Sequence, residues 1–248
     1  MNKIIQLYRD NVERPKQFTN LVNIAGDSAT IYLYDMISAD WGVSALSVIA
    51  AIAQAGDAKI LNVHINSPGG DVFEGRAIMA ALSAFKGKTV ARIDSLCASA
   101  ATSIALACDE VVMADGAFFM IHNASGMAWG DKQTLRDTAD VLEKVEGAIV
   151  SDYLQKTGKD EAEIRALMDA ETWFTANEAM EHGFVDAIDK GKKATNTWNL
   201  SAFAKAPKME VIPDRSPEVF DTSTHEPAPA GFLMSSANAN RLRILKIA

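Results

Sequence analysis

Between Ala29 and Ile188 the chain switches repeatedly between two apolar periods, and this alternation limits the folds open to it. Period-two or continuous β-type runs occur at Ala29–Tyr34, Ile60–Ile65, Thr89–Ile93, Glu110–Ala114, Phe118–His122 and Phe184–Ile188. Helix-type stretches fall between them at Val43–Ala55, Val72–Phe85 and, rich in small residues, Ser99–Ala107. Strands alternating with helices predict an α/β domain built on a mostly parallel sheet. Thr175 with Glu178 three residues on reads as a capping box, and Gly183 closes that short helix.

A longer pattern interrupts the alternation. From Asp131 to Lys156, apolar residues recur at Leu135, Ala139, Leu142, Val145, Ile149 and Tyr153. This is helical spacing over about seven turns, longer than the usual globular helix. A helix with one apolar stripe that leaves the domain needs a partner to cover it.

The ends differ in character. Residues 1–21 are polar and weakly periodic, which predicts an N-terminal arm or an early strand. Residues 22–190 carry the patterned domain, and 191–248 read as a linker or tail, with five prolines between Pro207 and Pro229. In 248 residues, 48% hydrophobic and 23% charged content supply a sizeable core. A net charge of −8 argues against nucleic-acid partners, because phosphate contacts need clustered Lys and Arg.

The most apolar window, Val43–Ala55, is too short to span a membrane and contains Ser44, Ser47 and Gln54. Met1–Asp10 shows no apolar core followed by a small-residue cleavage site. Cys97 and Cys108 sit in small apolar surroundings without metal-type partners, which suits a reducing compartment. A cytoplasmic protein with neither metal nor organic cofactor is the expectation.

Three features could carry chemistry. Asn66-Ser67-Pro68-Gly69-Gly70 follows a strand directly, and paired glycines can expose backbone N–H groups able to stabilise an oxyanion. Alone, this is ordinary turn chemistry. Ser99, in Leu96-Cys97-Ala98-Ser99-Ala100-Ala101, opens a helix; serine there is usually a cap, yet small neighbours leave its hydroxyl accessible. Ser95 and Ser103 are its rivals. His122 ends an apolar strand, at the carboxyl edge where α/β sites gather. Among four histidines it is better placed as a base than His64, His182 or His225. A serine nucleophile needs such a base, and the base needs a third group.

Taken in order, Ile65-Asn66-Ser67-Pro68-Gly69-Gly70, Ala98-Ser99-Ala100 and Met120-Ile121-His122-Asn123 resemble the proteolytic subunit of Clp protease, the ClpP family. Ala128-Trp129-Gly130 and Met168-Asp169-Ala170-Glu171-Thr172-Trp173-Phe174-Thr175 are similar to its phage and prophage branch, the ClpP-like head maturation proteases. The likeness covers roughly residues 22–190 and implies the ClpP/crotonase-type spiral of repeated β-β-α units, with a protruding handle helix at Asp131–Lys156.

The same resemblance implies Ser99 as nucleophile and His122 as base. It implies backbone N–H groups of Gly70 and Ala100 as the oxyanion hole, and Asp71 and Val72 as partners of an extended substrate chain. The third member departs from the family pattern, since the usual aspartate falls on Glu171, with Asp169 two residues earlier as the alternative. The activity implied is a self-compartmentalised serine endopeptidase acting on polypeptides. Assembly would be as a heptameric ring, stacked to 14 subunits, and an ATPase or a capsid protein could be a partner. Two other readings compete: a crotonase-type acyl-CoA hydratase or isomerase, and a catalytically idle capsid-assembly scaffold.

Overall fold

The computed structural model describes residues 3–11, 21–194 and 198–207. Most of the Pro-rich stretch, from Lys208 onward, lies outside them. The sequence-predicted alternation is realised as one mixed sheet with strands β1 (Val22–Ala25), β2 (Ser28–Leu33), β3 (Ile60–Ser67), β4 (Lys88–Ala98), β5 (Glu110–Asp115), β6 (Phe118–Ile121), β7 (Thr172–Thr175) and β8 (Ala187–Lys193). Its main path runs β1-β2-β3-β4-β5-β8, parallel from β2 onward, with β1 joined to β2 as an antiparallel hairpin.

Helices α1 (Lys3–Asn11), α2 (Ala45–Ala55), α3 (Val72–Ser83), α4 (Ala100–Leu106), α5 (Lys132–Thr157), α6 (Glu161–Asp169) and α7 (Ala176–Glu181) complete the described chain. Local chemistry sets their starts. Ser44, Asp71, Asp131 and Asp160 each accept a backbone N–H at the head of α2, α3, α5 and α6. Thr175 and Glu178 form the anticipated capping box of α7.

Strand β4 is longer than its apolar pattern suggested, and this extension matters. Its first half (Val90–Ile93) pairs with β5, while its last residues, Leu96–Ala98, pair with β6. The antiparallel β6–β7 ladder therefore sits at the carboxyl end of β4, above the main sheet. Helix α5 spans 26 residues, about 39 Å at 1.5 Å per residue. Only its base, at Ile149, Val150 and Tyr153, is buried, and Leu135 and Val141 stay about half exposed at 49% and 51%. No helix of the described residues is long and apolar enough to cross a membrane.

Three sequence expectations need correction. Residues 3–11 form a helix, not an early strand: Leu7 is buried with Trp198, Leu200 and Phe203, and this contact supplies the order that the polar sequence lacks. The last strand runs Ala187–Lys193, because Phe184 and Val185 are buried in the core, where Phe184 meets Phe119 and Tyr153. Finally, α6 and β7 fall where only the capping box and an aromatic pattern were read.

Candidate active site

At Ala98 the β4 backbone is still in register with Met120, and Ser99 N–H donates to the Met120 carbonyl at 2.9 Å. The chain then turns sharply. Ser99 adopts φ +55° and ψ −128°, a conformation that costs a non-glycine residue about 1–3 kcal/mol. It occupies the cap position of α4, but its side chain makes no capping bond. Instead Oγ lies 2.8 Å from His122 Nε2. The usual role of a helix-opening serine is thus absent, and its hydroxyl meets an imidazole at hydrogen-bond distance.

The elbow is held from below. The Ser99 carbonyl accepts from Thr102 N–H at 2.9 Å and from Thr102 Oγ1 at 2.6 Å. Thr102 Oγ1 is in turn 2.7 Å from the Tyr153 hydroxyl at the base of α5. Burial pushes the Tyr153 hydroxyl above its ordinary range, so it remains protonated and available to this chain of bonds.

The glycine turn abuts the elbow so closely that side chains are excluded. A Cβ on Gly69 would lie 2.5 Å from the Ala98 carbonyl oxygen and 2.7 Å from Ser99 Cβ. One on Gly70, where φ is +148°, would lie 2.2 Å from the Ile37 carbonyl oxygen. Ile37 N–H donates to Gly69 O at 2.9 Å and its carbonyl accepts from Asp71 N–H at 2.8 Å, so the turn is clamped on both sides of Gly70. The N–H groups of Gly70 and Ala100 meet no acceptor among the described residues, and both residues line one pocket with Ser99 and His122.

Asp71 caps α3, accepting from Phe73 and Glu74 N–H. Its own N–H is engaged by the Ile37 carbonyl, and its carbonyl accepts from Gly75 N–H at 3.0 Å. Val72 lines the pocket.

His122 follows the last β6 residue. Ile121 stands opposite Thr172 in the last pair of the ladder, and His122 and Glu171 are the next residues beyond it on the two chains. Glu171 adopts φ +49°, and its Oε1 accepts from Lys205 N–H at 3.1 Å. Asp169 is the last residue of α6, and its Oδ1 accepts from Asn123 Nδ2 at 2.7 Å. The two candidate acids therefore have different partners.

Of the described rivals, Ser103 shares the Ser99 pocket, whereas Ser95, His64 and His182 do not line it. Ser95 is buried in β4, and Ser103 sits one turn along α4 from Ser99. His64 Nδ1 is 2.6 Å from Asp94 Oδ2 on the β3–β4 pair, and the His182 ring lies against Phe174 and Phe184. Burial pushes the Cys97 thiol well up and that of Cys108 up to about 12, so neither serves as a thiolate.

One feature has only a faint signal in the sequence. Phe203 is 7% exposed, its ring lies edge-on to His122 with centroids 5.9 Å apart, and it lines the Ser99 pocket. Proline-rich composition drew that region away from the site, and only the aromatic Trp198 and Phe203 hinted at an anchored segment.

Comparison with known proteins agrees with this fold. The model of the family described as Clp protease matches residues 13–192. The chain is 27% identical over 166 residues to the ATP-dependent Clp protease proteolytic subunit 1 of Protochlamydia amoebophila, covering 65% of this chain and 81% of that protein. It is 30% identical over 134 residues to the ATP-dependent Clp protease proteolytic subunit of Streptococcus pneumoniae strain P1031, covering 52% and 68%. The structure of a point mutant of ClpP1 from Listeria monocytogenes superposes with a TM-score of 0.59 at 22% identity, over 65% of this chain and 91% of that one. A sheet of this topology, a family match across most of the chain and a ClpP structure that shares its fold lead to one assignment: the chain belongs to the Clp protease family.

Proposed function

We propose that this protein is a serine endopeptidase that cleaves polypeptides through an acyl-enzyme on Ser99. The observation that carries the reading is the 2.8 Å approach of Ser99 Oγ to His122 Nε2, made by a serine that is strained, uncapping and set beside two unengaged N–H groups. His122 Nε2 takes the hydroxyl proton as Oγ attacks the peptide carbonyl carbon. The oxygen that becomes negative is received by Gly70 and Ala100 N–H, an effect worth about 3–4 kcal/mol per donor. Imidazolium then passes its proton to the leaving amine, and water repeats the sequence on the ester. Glu171 orients the imidazole, a role supported by its place one step beyond the Ile121–Thr172 pair. Asp169 is the lesser candidate, because it ends α6, two residues further from the Ile121–Thr172 pair.

The substrate is an extended chain laid along Asp71 and Val72, reading backbone more than side chains. Relatives named as proteolytic subunits of an ATP-dependent protease support a ringed, chambered assembly of seven or fourteen copies. The projecting half of α5 fits the joining element of such an assembly. The phage-type motifs around His122 and Glu171 support a capsid-maturation substrate.

A fluorophosphonate probe tests the reading directly. It is expected to label Ser99 in the assembled wild-type chain and to leave Ser99→Ala unlabelled; an unlabelled wild type would overturn it.

A further inference from the structure

The segment 198–207 reaches the strand end before the glycine turn, then His122, then Glu171. Trp198, 1% exposed, donates from Nε1 to Asn66 Oδ1 at 2.9 Å, reaching the strand end that precedes the glycine turn. Asn199 exchanges two hydrogen bonds with Asn11 of α1, at 2.8 and 2.9 Å, which fixes the segment to the N-terminal helix. Phe203 then lies edge-on to His122 and, with centroids 5.7 Å apart, to Trp173 of β7. Lys205 closes the run. Its backbone N–H donates to Glu171 Oε1 at 3.1 Å, and its Nζ donates to the Ala170 carbonyl.

Both Lys205 bonds fall on the turn between α6 and β7, where Glu171 is held at positive φ. Such a conformation persists only where its surroundings over-determine it. A free glutamate also has three rotatable side-chain bonds, one more than the aspartate usual in this family, and fixing one carboxylate oxygen removes much of that freedom.

We propose that Trp198–Ala206 is a working part of the site and that Lys205 is a positioning residue, its N–H pinning Glu171 Oε1 so that the carboxylate is presented to His122. Phe203 supports this by covering the imidazole from water. The inference rests on the peptidase reading above.

The test uses the full chain and two measurements: the rate of fluorophosphonate labelling of Ser99, and kcat and KM on a fluorogenic peptide. Lys205→Pro removes the N–H donor. Its kcat is expected to fall by on the order of 100-fold, the cost of misplacing a catalytic group, while KM stays within about threefold. Lys205→Ala keeps the N–H and is expected to recover at least about tenfold of that loss. A merely structural role would instead lower thermal stability and leave the rate per titratable site unchanged.

A folded Lys205→Pro that labels at the wild-type rate overturns the proposal, and so does one that labels faster, since that would make the segment a plug. Should Lys205→Pro fail to fold, Phe203→Ala decides: labelling slowed at least about fivefold with an unchanged circular dichroism spectrum supports the role, and an unchanged rate overturns it. An unlabelled wild-type chain would remove the peptidase reading and this inference together, whereas a labelled wild type beside an unaffected Lys205→Pro would remove only this one.

Discussion

Ser99 has a backbone that would suit glycine, and this separates its two roles. Ser99→Gly removes the hydroxyl and also the positive-φ strain, partly offset by the greater freedom of glycine when unfolded. It is expected to be inactive but more stable than Ser99→Ala by about 1 kcal/mol, read from paired denaturant titrations. Gly69 is the reverse case. An alanine there would press Cβ to 2.5 Å from the Ala98 carbonyl oxygen, so Gly69→Ala should destabilise the chain by about 1–3 kcal/mol and displace the elbow. Of the two acids, Glu171→Gln should slow peptide cleavage far more than Asp169→Asn. Equal losses, or the reverse order in a steady-state assay, would reassign the orienter. The Ser99, His122 and Gly70 set was legible in the sequence because each residue sits beside an apolar run whose period announces a strand or helix end. Lys205 was not, because it contributes a backbone N–H, a group every residue but proline carries.

Among the elements, those with local start signals are mostly legible in the sequence, α6 with its Asp160 cap being an exception, and those whose order comes from distant contacts are not. Helix α7 shows the first kind. Backbone and side-chain hydrogen bonds from Thr175 hold the Glu178 carboxyl below its usual value of 4.5. A carboxylate with a lowered folded-state value stabilises the fold above its unfolded value and loses that contribution as pH falls through the folded one. Glu178→Gln should therefore flatten the loss of Tm between about pH 5 and 3, by an amount modest for so exposed a group. Helix α1 shows the second kind: no acid in its first turn marks its start, and Leu7 shares a buried cluster with Met36 and with Trp198, Leu200 and Phe203, about 190 positions later in the chain.

At the scale of the described domain, the long helix α5 has its base buried beside the candidate site, where Ile149 and Tyr153 line the Ser99 pocket. Leu135 and Val141 are large apolar side chains left uncovered on the exposed half of α5, and in a chambered assembly they would be buried between copies. Leu135→Asp with Val141→Asp should reduce the sedimentation coefficient of the assembly while leaving the circular dichroism of the subunit unchanged. An unaltered coefficient would exclude α5 as the joining element. The sequence alone determined the strand–helix alternation, the helix caps, the small-residue elbow and the serine–histidine pairing, because period, caps and turn residues act over a few positions. Tertiary structure supplied the β6–β7 register, in which His122 and Glu171 come next after the Ile121–Thr172 pair. It also decided that a segment of tail-like composition returns to the site. Both depend on backbone groups brought together across the chain, and no side-chain pattern encodes such meetings.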